Sequence, residues 1–485
     1  MSIYLCMLFT MFDLKSLCLR AMVVGSLSFV PATAEERPPN VVVFLVDDIG
    51  WGDVGCYGSQ LHETPAIDTL AKEGMKFTHG YSACTVCSPS RAAIMTGQYP
   101  ARLHLTDWIA GHVHAKAKLQ VPDWKMYIDH SLTTIPEALK SKGYATGFFG
   151  KWHLMPHKQP ELMPEHTPEK HGFDINVGGR EWGQPKGKGK YFYPWDMPGL
   201  EGGAKGDFLT DRLTTESIKW IDGVKEKPFL LYLSYYAVHG PIMTKPELKK
   251  KYQAKLKAGD FQQKNAAYAG MIQSVDESVG RVMDYLKKNG LADNTLVIFT
   301  GDNGGVAETS SGGLRKGKAW SYEGGTREPF IVKWPGKVKA GSSSDTPVIG
   351  MDIYPTILEA AGVSQPKDQA CDGISLVPHM EEGASIDRDT LYWHYPHYHK
   401  TKPYSAIRKG NWKLIRFHED GKLELYHLRK DPSESQNLSS QFAEKAKTLA
   451  EQLDAWLKSV DAQHMTPNPA YDPKAGKRGQ KGKRK

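Results

Sequence analysis

The chain has 485 residues, more than one ordinary hydrophobic core accommodates, so one large domain with a smaller one is expected. With 40% hydrophobic and 10% aromatic residues it belongs with globular proteins, which excludes a disordered chain. Its net charge of +8 does not mark a nucleic-acid-binding body: residues 474–485 carry seven Lys or Arg and no acid, and subtracting seven leaves +1.

Residues 21–30 are an apolar run preceded by Lys15 and Arg20 and followed by Ala32-Thr33-Ala34, the pattern of a cleaved export signal. The run is too short to span a bilayer as a helix, so no transmembrane segment is expected. Residues 1–34 therefore read as a signal peptide, with Met11 and Met22 as alternative starts. The mature chain would begin near Glu35 and be exported, to the periplasm or medium if bacterial. Of the six cysteines, Cys6 and Cys18 fall in the signal; Cys56, Cys84, Cys87 and Cys371 are too few for a disulfide scaffold. Cys84 and Cys87 form a Cys-x-x-Cys with no second pair, and a disulfide between them is a competing state.

Residues 40–46 form a continuous apolar run rich in β-branched side chains, which predicts a parallel strand buried on both faces. It ends in Asp47 and Asp48, and two carboxylates at the carboxyl end of a core strand call for a compensating cation. Residues 64–74 predict a helix with Pro65 near its start and Gly74 as its stop, and 75–79 a short strand. Ser88 before Pro89 reads as the start of another helix. Cys87 then lies at the positive end of a helix dipole with Arg91 one turn on, the setting of an anion-handling reactive cysteine.

Residues 132–142 are helical by period and 144–149 form a strand, with Lys151 and His153 past its end. Two apart on an extended segment, these side chains face one ligand. Residues 155–205 show no period and form a long loop or insertion, in which Trp182, Tyr191, Tyr193 and Trp195 make either a sugar-stacking wall or a small local core. A strand over 229–235 precedes His239, an amphipathic helix covers 268–286, and a strand over 295–300 ends in Asp302 and Asn303 between glycines. Asp47, Asp48, Asp302 and Asn303 make an oxygen-only set that suits Ca²⁺ or Mg²⁺ and not zinc. The all-protein, anionic character favours Ca²⁺.

Residues 314–329 on pattern alone read as a solvated glycine-rich basic loop, followed by an apolar stretch over 330–333 and a helix over 352–361. A hairpin over 404–417, a strand over 422–428 and a helix on Phe442, Ala446, Leu449, Leu453, Trp456 and Val460 predict a small antiparallel sheet with a covering helix. Between the two parts, His394, His397 and His399 lie where neither helical nor strand period holds, a loop over the cleft or on the surface. Asn437-Leu438-Ser439 matches a glycosylation acceptor.

Cys87-Ser88-Pro89-Ser90-Arg91 with Thr96-Gly97 behind it resembles the signature of the type I sulfatases, arylsulfatase A-like members of the alkaline phosphatase superfamily. Gly150-Lys151-Trp152-His153-Leu154 and residues 314–329 resemble further segments of that family, and Met95, where leucine is usual, is a volume-conserving departure. The resemblance implies an α/β fold: a large mixed, mostly parallel sheet flanked by helices, plus a small C-terminal antiparallel sheet with a packed helix. The implied division is a catalytic domain over 37–375, a C-terminal α+β subdomain over 376–462 and a basic disordered tail over 463–485.

The resemblance also implies that a maturation enzyme oxidises Cys87 to formylglycine, and that Asp47, Asp48, Asp302, Asn303 and residue 87 hold the cation. Lys151 and Lys318 would bind sulfate oxygens, Arg91 would hold residue 87, His153 would act as base, and His239 or Lys318 would supply a proton. The expected activity is hydrolysis of sulfate monoesters on sulfated carbohydrates, galactose-type polysaccharide units being one candidate and aryl sulfates laboratory substrates. Trp108, His112, His114 and His394 are candidate sugar contacts. Two alternatives stand beside it: a phosphonate or phosphodiester hydrolase of the same superfamily, and a non-catalytic carbohydrate-binding relative with unmodified Cys87.

Overall fold

The computed structural model describes residues 37–306 and 308–474. The predicted signal peptide, Cys6, Cys18 and the basic end past Lys474 lie outside the described residues.

A nine-stranded sheet organises the chain. From one edge the strands run Val348–Ile349, Met75–Tyr81, Arg327–Lys333, Thr295–Gly301, Asn40–Val46, Phe229–Ser234, Ala145–Gly150 and Ile175–Val177, with Ser342–Ser344 also pairing with Met75–Tyr81. All pairings are parallel except those of Arg327–Lys333, which is antiparallel to both neighbours. The mixed, mostly parallel sheet expected of the chain is therefore present.

Asn40–Val46 is buried along its whole length, and its alternate side chains enter different cores. Val41, Val43 and Leu45 pack with Ile353, Ile357 and Leu139. Val42, Phe44 and Val46 pack with Met271, Val275 and Leu213 on the opposite face. Burying each such side chain stabilises by roughly 1.5–3 kcal/mol, and this two-sided burial is why the run is apolar at every position. The helices on the second face are Pro65–Glu73, Leu209–Val224 and Ala266–Lys288. The last matches the predicted 268–286 element, capped by Asn265, whose side chain accepts from Ala267 and Tyr268 N–H. Leu209–Val224 and Pro246–Ala258 had no sequence prediction.

The predicted helix over 132–142 is shorter: Ile135–Leu139, then a 3₁₀ turn Lys140–Lys142 ending at Gly143 in the left-handed region. Thr134 and Glu137 form a capping box that fixes its start. In the 155–205 insertion, Tyr191 is 1% exposed and Trp195 9% exposed, and both join the core on the second sheet face with Phe44 and Leu233 instead of forming a separate local core; Trp182 and Tyr193 are half-buried against it.

The C-terminal sheet has four antiparallel strands, Thr390–Tyr395, Tyr404–Lys409, Trp412–Phe417 and Leu423–His427. Ala443–Ser459 covers it through Leu449, Leu453 and Trp456. Thr390–Tyr395 corrects the loop expected around His394: the strand ends at Tyr395, and the irregular stretch begins only at Pro396. A shared apolar cluster joins Ile407, Ile415 and Tyr404 to Tyr81, Val86 and Ala93 of the larger part. The tail boundary at 463 also moves. Thr466–Pro467 pairs with Leu119–Gln120, and Asn468 donates through Nδ2 to Ala115 and Ala117 carbonyls, so this part of the expected tail is ordered. No helix of the described residues is long and apolar enough to cross a membrane.

Candidate active site

In the sheet register Val46 lies beside Gly301, and Leu45 beside Ser234. The residues just past these strands therefore meet at one edge, where open α/β sheets place their ligands. Asp48 has φ of 62°, a left-handed turn that sends two successive carboxylates away from the strand course. Gly304 must be glycine: a Cβ there would lie 2.0 Å from the Gly324 carbonyl oxygen, where the Asp302 loop meets the Lys318 loop.

Cys87 is the first residue of the helix Cys87–Thr96, with Val86 as an N-cap that makes no side-chain bond. This corrects the expected start at Ser88. The Ser88 hydroxyl instead accepts from Ile109 N–H at 3.1 Å, so the helix N-terminus keeps its uncapped N–H groups beside residue 87. All four described cysteines are free, including Cys84 and Cys87.

Around Cys87 stand three carboxylates and three cations, all deeply enclosed except Lys318, whose side chain is 12% exposed. Lys151 Nζ donates to Asp47 at 2.6 Å and Lys318 Nζ to Asp48 at 2.6 Å. Arg91 Nε donates to Asp302 at 2.8 Å, while its other nitrogen reaches the Lys151 carbonyl at 2.6 Å and Ser234 Oγ at 2.7 Å. Lys318 Nζ is 3.9 Å from Cys87 Sγ. Burial, with Asp302 and Asp48 adding to it against Lys151, pushes the Asp47 carboxyl well up. Burial acts the same way on Asp48, but Lys318 and His239 outweigh it and hold that carboxyl below its ordinary range. Burial opposes the Lys318 charge, yet Asp48, Cys87 and Asp47 raise its pKa above the ordinary lysine value.

Burial also pushes the Cys87 thiol up, against Lys151 and Lys318. A thiol so held is a weaker nucleophile than a free one until it is modified.

His153 has φ of 59°, and its Nε2 meets the Ile109 carbonyl while its Nδ1 is buried without a partner. Burial, then Lys151, drives its pKa well below that of free histidine, so it stands as a neutral base. His239 Nε2 lies 3.8 Å from Asp48 Oδ2, and burial, then Lys318, lowers its pKa to about 4.

The donor set fits a hard divalent cation. Asp47 Oδ1 and Asn303 Oδ1 are buried with no hydrogen-bond partner, and ligand atoms of Asp47, Cys87 and Asp302 lie within 4.8 Å of one another. Asn303 Nδ2 donates to Asp48 Oδ1 at 2.7 Å, which orients the amide oxygen away from that carboxylate.

The candidate sugar contacts separate. Trp108, His112 and His114 form a rim, with Trp108 4.9 Å and His114 5.8 Å from the His112 ring. His399 joins them at 4.7 Å from His112 and lies near enough to feel the Lys318 charge. His394 does not join them: it is 4% exposed, its Nδ1 paired with Ser405 Oγ and its Nε2 with the Gln463 carbonyl. His397 is buried against Thr106. Sequence reasoning missed Ser234 and Ile109, which bond Arg91 and His153, and read Ser88, which holds Ile109, as a helix cap. Only Ser234 carried a signal, as a polar residue at the end of an apolar strand.

A sheet edge bearing paired carboxylates, cation-fitting oxygens and an anion-directed helix terminus defines a hydrolase centre for an anionic ester. A profile described as Sulfatase matches residues 39–363, and a second, N-sulphoglucosamine sulphohydrolase, C-terminal, matches residues 316–463. The chain is 32% identical over 479 residues to human N-acetylgalactosamine-6-sulfatase, covering 89% of this chain and 87% of that one. It is 31% identical over 496 residues to a sulfatase of Formosa agariphila, covering 87% and 89%. The crystal structure of Ps i-CgsB superposes with a TM-score of 0.74 at 29% identity, over 91% of this chain and 96% of that one; it is also solved in complex with k-i-k-neocarrahexaose. This chain belongs to the sulfatase family, type I sulfatases of the alkaline phosphatase superfamily, and is a sulfuric ester hydrolase.

Proposed function

We propose that this enzyme is exported and hydrolyses sulfate monoesters on carbohydrates, galactose-type units of a polysaccharide foremost. In this reading Cys87 is converted to formylglycine by a separate enzyme, and Asp47, Asp48, Asp302, Asn303 and residue 87 hold a divalent cation, Ca²⁺ before Mg²⁺. The observation that carries the reading is the placement of Cys87 at an uncapped helix terminus, with Lys318 Nζ 3.9 Å from its sulfur and ligand atoms of Asp47 and Asp302 within 4.8 Å. The relatives support the substrate class: one is named for N-acetylgalactosamine-6-sulfate hydrolysis, and another is solved with a neocarrahexaose.

The modified side chain, hydrated, would supply one hydroxyl to attack sulfur and a second through which sulfate is later released. The cation would withdraw charge from the sulfate oxygens. Lys151 and Lys318 bind the same oxygens, and Arg91, tied to Asp302 and Ser234, holds residue 87 in line. The bond from sulfur to the sugar oxygen breaks, and that oxygen takes a proton from Lys318, or from His239 once the bound sulfate has drawn it into its charged form. Neutral His153 takes the proton of the remaining hydroxyl as sulfate departs.

The test is sulfate release from sulfated galactose oligosaccharides, beside matched phosphate and phosphonate esters, by protein from a host able to convert Cys87. Sulfate release that is lost on chelation and restored by Ca²⁺ supports the reading. Faster turnover of the phosphorus esters, or glycan binding without release, overturns it.

A further inference from the structure

Lys318 sits on a loop whose two ends both reach Glu434, in the turn that follows the last strand of the C-terminal sheet. The loop closes on itself where Gly324 N–H donates to the Arg315 carbonyl at 3.0 Å. At its first end Arg315 donates to the Glu434 carbonyl at 2.8 Å and to Tyr426 OH at 3.0 Å, its guanidinium 3.7 Å over the Tyr322 ring. At its second end Glu323 N–H donates to the Glu434 carboxylate at 2.6 Å. Lys413 then locks both carboxylates from the next strand, 2.9 Å from Glu323 and 3.0 Å from Glu434. Tyr81 OH donates to Glu323 at 2.7 Å.

Glu434 is fully buried, and its backbone has φ of 50°, a left-handed conformation that costs a non-glycine residue energy. The two buried carboxylates share Lys413, with Arg327 3.8 Å from Glu323 as a further cation, and such a buried ionic cluster is no more stabilising than an apolar contact of the same size. Between the two anchors, Lys318 N–H donates to Gly305 O at 2.9 Å and Ala319 N–H to Thr85 O at 2.9 Å, leaving the Lys318 side chain aimed at Asp48 and Cys87.

We propose that Glu434 is a positioning residue for sulfate ester hydrolysis, holding both ends of the Lys318 loop so that the ammonium meets the sulfate. The proposal rests on the role given to Lys318 above. It makes the turn after Leu423–His427 part of the catalytic apparatus, although it touches neither substrate nor cation.

The test compares Glu434→Ala, Glu434→Gln, Arg315→Met and Lys318→Ala in the full chain, with rates referred to the fraction of molecules whose residue 87 resists alkylation. Glu434→Ala should lower kcat about tenfold or more with KM changed less than about threefold, since a misplaced Lys318 loses grip chiefly in the transition state. Glu434→Gln keeps an acceptor for the Glu323 N–H and should recover most of the rate. Arg315→Met, releasing the other end, should reproduce the Glu434→Ala loss, and carries the test if Glu434→Ala does not fold. A lowered melting temperature with kcat unchanged, a loss confined to KM, or a Glu434→Gln rate as low as that of Glu434→Ala overturns the positioning role. Lys318→Ala at the wild-type rate would instead sink the assignment of Lys318 itself, and the positioning role with it.

Discussion

At the scale of single residues, the centre is a balance of three carboxylates against three cations, and Arg91 is the member with the most partners. It contacts Asp302, the Lys151 carbonyl and Ser234 from a side chain only 3% exposed. Removing it takes away the only cation among the described residues that is paired with the buried Asp302 carboxyl at hydrogen-bond distance, so Arg91→Met should cost about 3–5 kcal/mol by urea unfolding. It should also lower kcat/KM about a hundredfold, as for loss of one preorganised electrostatic contact. The orphaned oxygens of Asp47 and Asn303 lead to a second expectation. If they hold a cation, chelation should lower the melting temperature as well as the rate, and Asn303→Ala should shrink the rise that Ca²⁺ restores.

At the scale of elements, the Asp107–Gly111 stretch links the helix terminus to the base, through Ser88 at one side of Ile109 and His153 at the other. Asp107 anchors it, accepting from Tyr395 OH at 2.7 Å and Trp108 N–H at 2.9 Å, and burial raises its carboxyl to about 7. Its folded pKa lies above the unfolded value, so the folded state binds more protons between about pH 4 and 7. Its contribution to stability should therefore fall as pH rises through that window. Buried histidines such as His418, lowered to about 3, act in the opposite sense, so the check is the difference between wild type and Asp107→Asn. The wild type should lose more stability from pH 5 to 8. In the same way Thr134→Ala, which removes a capping box, should cost about 1 kcal/mol by urea unfolding.

The elements also show why some of the site was legible in sequence. Asp47, Asp48, Asp302, Lys151 and His153 sit just past apolar runs, so strand prediction located them. Lys318 had no such frame: its loop has no period, and only family resemblance singled it out. His394 misled because a four-residue apolar and aromatic stretch around it carries no alternation, its strand Thr390–Tyr395 being largely buried. Ser88 looked like a cap because sequence does not show that its hydroxyl is committed to Ile109, a contact across 21 positions.

At the scale of the whole molecule, the C-terminal sheet is bound into the site by a common core and by the Glu434 turn. The segment after Ala443–Ser459 goes further, returning to pair Thr466–Pro467 with Leu119–Gln120 and to bond Ala115 and Ala117, the stretch that follows the rim residues Trp108, His112 and His114. Truncation after His464 should loosen that rim, raising KM for a sulfated oligosaccharide more than for a small aryl sulfate. Steady-state kinetics on both substrates checks it; equal changes would mean the rim does not contact sugar.

Everything proposed for the chemistry depends on the state of Cys87. The direct measurement is the intact mass of the proteolytic peptide carrying Cys87, from protein made in its natural host, before and after thiol alkylation. Formylglycine at this position gives a mass lowered by exchange of thiol for aldehyde, with no alkylation at residue 87. A free alkylatable thiol at position 87 in protein that releases sulfate, or a bond to Cys84, would contradict it.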